Sequence, residues 1–321
     1  MRVSQRRPLH RLRREGGRPT AWPSLCAGRC ALAAVVVAAI ALSGCATGVS
    51  EAPPTAVESS AQLRERASMA LETGRAAQAK QLYESILAAT PDDPEALTGL
   101  GEAEVLLREY GAALAHSRKA AELSGERPDL EARARRNAGV ALLLTNRPDE
   151  AKRELEASVA LDPASWRAWS ALGRAHDAHG AWEEARAAHE RALALAPDEG
   201  AALNNFGMSR LSAGNQDEAA ALFVRALEAS PDLAAAETNL RVALALDGRY
   251  EEALAGVDAA EMPDALNNAG YAALLRGDYA RARSLFLRAI DASPDFYEPA
   301  SSNLRFLSTL EQRQSAAQGG R

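Results

Sequence analysis

From Leu63 onward, small and apolar residues recur at helical spacing and are punctuated by glycine and proline. In the stretch beginning at Trp166, Trp169, Leu172 and Gly173 stand at positions 4, 7 and 8, the i, i+3, i+4 face of one helix. Ala185, His189 and Ala192 stand at positions 20, 24 and 27 and mark a second. Gly180 at position 15 separates the two, and Pro197 at position 32 stops the second. Pro163, Pro197 and Pro231 are each 34 residues apart, so the pattern is a period. The following stretch repeats it with Leu203, Phe206, Gly207, Gly214, Ala219, Phe223, Ala226 and Pro231. A later one carries Leu266, Gly270, Gly277, Ala282, Phe286, Ala289 and Pro294. No strand-like alternation competes anywhere in this span.

A helical period of this length with this punctuation resembles the tetratricopeptide repeat (TPR). The resemblance implies an all-α fold, an α-solenoid of about seven helix-turn-helix units over residues 61–313, closed by a C-terminal helix at Glu298–Gln312. One unit is short: it keeps Leu240, Gly248 and Ala253, then loses five residues before Pro263. Small residues at positions 8 and 20 are expected to let the paired helices approach. The aspartates after the prolines (Asp92, Asp129, Asp198, Asp232, Asp264, Asp295) are expected to cap the next helix. The first helices of the units would line a concave face, where function is to be sought.

Composition agrees with a thin array. The chain is 47% hydrophobic but only 5% aromatic, so alanine must do much of the packing. Its net charge of −6 disfavours a nucleic-acid binder. That charge is unevenly placed. Residues 1–45 hold eight arginines and one acid, leaving 29 bases against 42 acids in the remainder. The basic lead runs into ALAAVVVAAIAL (Ala31–Leu42), too short for a bilayer span but suited to a signal-peptide core.

The run ends at Leu42-Ser43-Gly44-Cys45, which resembles the cleavage site of bacterial lipoproteins. The resemblance implies a signal peptide at 1–45 and acylation (diacylglyceryl, palmitate) of Cys45 as the first mature residue. Cys26 and Cys30 would leave with the leader, so no disulfide remains. Residues 46–60 read as a disordered tether, reaching about 20 Å at roughly 5–6 Å × √n, and 314–321 as a disordered tail. Ala46 rather than Asp after the cysteine implies outer-membrane lipid anchoring on the periplasmic side. The layout from LNNFG at Leu203 to LNNAG at Leu266 is similar to pilus-assembly TPR lipoproteins, of tight-adherence (Flp) or type IV kind. That resemblance implies secretin or pilus components as partners. An adaptor for peptidoglycan hydrolases or synthases is the alternative.

Candidate chemistry is sparse. Asn137, Asn205, Asn239 and Asn268 share position 6, and Asn204 and Asn267 precede two of them. An amide can donate to and accept from a peptide backbone at once, so the row is a candidate peptide-binding ladder. The competing reading is that these amides bond neighbouring helices. His176, His179 and His189 could meet a metal ion such as zinc, or His189 could simply replace the usual aromatic at position 24. No nucleophile motif, phosphate loop or cofactor fingerprint is present, and no catalytic residue or cofactor is assigned; an enzymatic role is the remote alternative.

Overall fold

The computed structural model describes residues 59–319, with side chains to 313; the expected signal peptide at 1–45 with Cys45, and most of the expected tether, lie outside the described residues. Fifteen helices and no strand occur among the described residues. The first two pairs are α1 (Ser60–Glu72) with α2 (Ala76–Ala89), and α3 (Pro94–Leu106) with α4 (Tyr110–Leu123). Next come α5 (Pro128–Leu144) with α6 (Pro148–Leu161), and α7 (Trp166–Ala178) with α8 (Trp182–Leu195). They are followed by α9 (Gly200–Ser212) with α10 (Gln216–Ala229), and α11 (Ala234–Asp247) with α12 (Tyr250–Leu254). The series ends with α13 (Met262–Arg276), α14 (Tyr279–Ala292) and α15 (Glu298–Gly319). This is the expected solenoid of seven helix pairs and a closing helix.

Packing follows from residue size at a few repeating positions. The position-20 alanine is buried in all seven pairs, from Ala79 to Ala282. Position 8 faces position 24 of the same pair. A methyl group added to Gly139, Gly173, Gly207 or Gly270 would stand 2.5–2.7 Å from the side chains of Leu155, His189, Phe223 and Phe286. The two helices therefore touch backbone to side chain, a distance only glycine permits. The core is a string of five local clusters rather than one mass, the largest running from Leu211 to Leu307.

The helices of a pair are joined through a left-handed residue at position 15. Glycine holds it in five pairs, and Arg108 (φ 65°) and Asn146 (φ 59°) adopt it in the others. The aspartate caps expected after the prolines are not formed. Asp93, one residue later than Asp92, accepts from the backbone N–H of Glu95 and Ala96 at the start of α3, and Ser165 caps α7. Asp129 and Asp264 sit inside the first turns of α5 and α13, and the helix starting at Gly200 has no side-chain cap. After Pro91, Pro197 and Pro231 the turn is one residue longer than a cap at the following aspartate would require.

Each odd-numbered helix touches the next odd-numbered one, whereas no two even-numbered helices pack substantially against each other. The odd helices are thus on the short, inner side of the curve and the even helices on the outer side. The exception in pattern is α12, only five residues long. Position 8 of its pair is Arg241, where other pairs have Gly or Ala; its guanidinium donates to the carbonyls of Ala253 (3.2 Å) and Ala255 (2.9 Å). The arginine closes the open end of the cut-off helix, whose position 24 (Val257) lies beyond its end. At the far end, α15 runs past Gln312 to Gly319, so 314–319 continue a helix that seats Ala300 and Leu307 in the core. Among the described residues no helix is long and apolar enough to cross a membrane.

Candidate functional site: a recess on the inner face

The asparagine row is a set of bonds between successive odd helices. Position 6 of one helix reaches position 5 of the helix before it. Asn137 Nδ2 donates to the carbonyl of Thr98 (3.1 Å), and Asn205 Nδ2 donates to Ser170 Oγ (3.0 Å). Asn239 Nδ2 donates to Asn204 Oδ1 (2.9 Å). Asn303 Nδ2, on α15, donates to Asn267 Oδ1 (3.0 Å). Asn303 continues the row on the closing helix and was not anticipated; it stands at position 6 when α15 is counted from Glu298. Asn137 and Asn267 are almost wholly buried by these contacts. Asn268 is half-buried and has no hydrogen bond among the described residues, because the helix before it offers Thr238, which bonds its own backbone.

The ladder lapses between α5 and α7, where position 6 is Ala171 and position 5 is Arg136. There the inner face opens into a recess of about 220 Å³. Asn137 and Asn205 stand at its edges, with Trp166, Arg167 and Arg174 from α7 and Glu102 and Val105 from α3. Arg136 is 11% exposed; it donates to Glu102 (3.1 Å) and to Asn137 Oδ1 (3.0 Å). Arg133 lies 3.9 Å from the same Glu102. Arg167 lies over the Trp166 ring, 4.6 Å from its centroid. Burial pushes the pKa of both Arg136 and Arg174 below the ordinary guanidinium value, partly offset by Glu102 and Asp177 respectively. These arginines were missed in the sequence, where single charges on a helix read as a solvated face.

The three histidines are not brought together. His179 bonds Asp149 (2.9 Å) and the carbonyl of Ala175. His189 is fully buried, stacked on Phe206 at 5.4 Å with Nε2 3.3 Å from Asp177. It takes the place of the usual aromatic. Among the described residues, no group of three or more His, Cys, Asp or Glu is arranged to hold a metal ion.

A tetratricopeptide-repeat family model matches residues 64–129, 137–200 and 254–295, more than half of the chain. The chain belongs to the tetratricopeptide-repeat family. Among solved structures, it is similar to a thermophilic TPR protein of Thermus thermophilus, at 24% identity and TM-score 0.50, covering 61% of this chain and 99% of that one. It is also similar to a chain of the APC/C complex Cut9–Hcn1, at 16% identity and TM-score 0.57, covering 76% and 48%. A third is PilW, a type IV pilus biogenesis factor, at 20% identity and TM-score 0.49, covering 76% and 98%. No curated protein matches it in sequence. As a TPR chain, it is a scaffold for interactions with protein or peptide partners.

Proposed function

We propose that the chain is a lipid-anchored scaffold of the bacterial cell envelope that engages protein partners on its inner face during assembly of a pilus or secretion complex. The observation that carries the binding reading is the recess between α5 and α7, a break in the ladder that exposes an unspent guanidinium beside an aromatic ring. The anchor reading is supported by Leu42-Ser43-Gly44-Cys45 after an apolar run, and the outer-membrane reading by Ala46. Several acyl chains hold a protein stably where one alone would not. The pilus reading is supported by the LNNFG-to-LNNAG layout. The anchor places the recess within reach of envelope proteins while the repeats stay clear of the headgroups.

Two measurements test this. In cells fed labelled palmitate, Cys45→Ser is expected to abolish incorporation and release the protein from the membrane fraction; label persisting in the variant would remove the anchor. A photo-crosslinking amino acid at Val105, in the recess, is expected to trap secretin or pilus subunits, while one at Leu287 on the outer α14 does not. Peptidoglycan hydrolases or synthases trapped at Val105 would favour the adaptor role, and identical products from both positions would end the inner-face reading.

A further inference from the structure

The charges of the recess do not balance. Glu102 is its only acid, and it is held by Arg136 at 3.1 Å and Arg133 at 3.9 Å. Arg174 has no hydrogen bond or ion pair among the described residues. The acid whose charge acts on it, Asp177, is occupied: Ser209 Oγ donates to one oxygen at 2.6 Å and His189 Nε2 lies 3.3 Å from the other. A half-buried guanidinium with five donors therefore faces the recess unspent. Arg167, exposed above Trp166, adds a second positive group at the rim. The body around them is strongly acidic, 29 bases against 42 acids beyond residue 45, so this recess stands out in sign from its surroundings.

We propose that the recess takes the carboxylate of a single glutamate or aspartate side chain from an extended, otherwise uncharged segment of the partner, with Arg174 as its donor and Trp166 packing beside it. This rests on the inner-face binding reading above and names the chemistry of the ligand. A guanidinium binds a carboxylate through two parallel hydrogen bonds, and the pairing is strongest where water is partly excluded. The recess is too small for more than a side chain or two, and the acidic body repels long polyanions, so the favoured ligand is one carboxylate within an otherwise uncharged segment. Glu102 and Val105 of α3 and Ala201 and Asn205 of α9 line the recess beside α5 and α7, so it is framed by four successive inner helices.

The test uses the full-length chain in detergent and a fluorescein-labelled, C-terminally amidated peptide carrying one Glu among Gly and Ser residues, read by polarisation. The Glu peptide is expected to bind, and its Gln counterpart is not; equal binding of the two overturns the proposal without any variant. Arg174→Gln is expected to weaken the Glu peptide by about tenfold, the loss of one charge-assisted bidentate pair. Arg288→Gln, which removes one exposed charge on the outer α14, is expected to leave binding unchanged. An equal loss in both variants would mean a field effect of net charge, and would overturn the assignment. Binding that appears only when the peptide's C-terminus is free, or an oligonucleotide that displaces the peptide at lower concentration, would do the same. If Val105 traps a partner while neither peptide binds, the acidic-ligand assignment fails and the scaffold reading stands.

Discussion

Phe223→Ala is expected to lower stability by about 3–5 kcal/mol, the range for emptying a buried aromatic site. The side chain is completely buried on α10 and its ring fills the space opposite Gly207, where a methyl group on the glycine would already stand 2.5 Å from it. Gly207 has no side chain to offer, and Ala219 on the same helix is itself fixed at the helix contact. Leu287→Ala, at an apolar residue that is 45% exposed, is expected to stay within about 0.5 kcal/mol. Urea unfolding of both variants measures the contrast. Repeat stacks exchange energy chiefly with their neighbours, so the loss should fall on the part of the transition carried by the cluster from Leu211 to Leu307. A cost below about 1 kcal/mol for Phe223→Ala would mean that the position-8 glycines are not paired with these rings.

Gly173→Leu approaches the same contact from the opposite direction and is expected to cost about 3 kcal/mol, the upper end for overpacking. The first added carbon would stand 2.6 Å from His189 Nε2. The imidazole cannot withdraw, because it is stacked on Phe206 behind and positioned by Asp177. Gly173→Ala should cost less, and the cost of either change should shrink when His189 is also replaced by alanine. A double-mutant cycle reads that coupling directly. Additive effects would show that the strain is relieved elsewhere, by separation of α7 from α8.

The repeat was readable from single residues because close helix contact leaves no latitude at positions 8 and 20. Gly173, Gly207 and Gly270, with Ala185, Ala219 and Ala282, are where a larger residue would force the helices apart. The short unit was equally visible in the missing residues before Pro263, although not the use of Arg241 to finish it. The caps were misjudged, by one residue at Asp92 and by part of a first turn at Asp129 and Asp264, since a cap depends on turn length and not on the nearest aspartate. The asparagines were found at the right register. What the sequence could not show is that position 5 of the preceding helix lies opposite, as Thr98, Ser170, Asn204 and Asn267 do. Asn303 escaped because its helix has Arg305 at position 8 and Gln312 at position 15, where the clearest repeats have glycine. Arg136 and Arg174 are significant only once α5 and α7 are seen side by side with Ala171 between them.

The one-sided contacts of the stack have a mechanical consequence. With the inner helices packed in series and the outer helices resting on the next inner helix rather than on one another, the outer rim can widen by small slips at those contacts. A slight rotation at each successive junction then adds up along the superhelix, in the manner of a coil spring. Such compliance lets the same spiral tighten around a slender strand or relax around a bulkier one while every individual hairpin stays rigid.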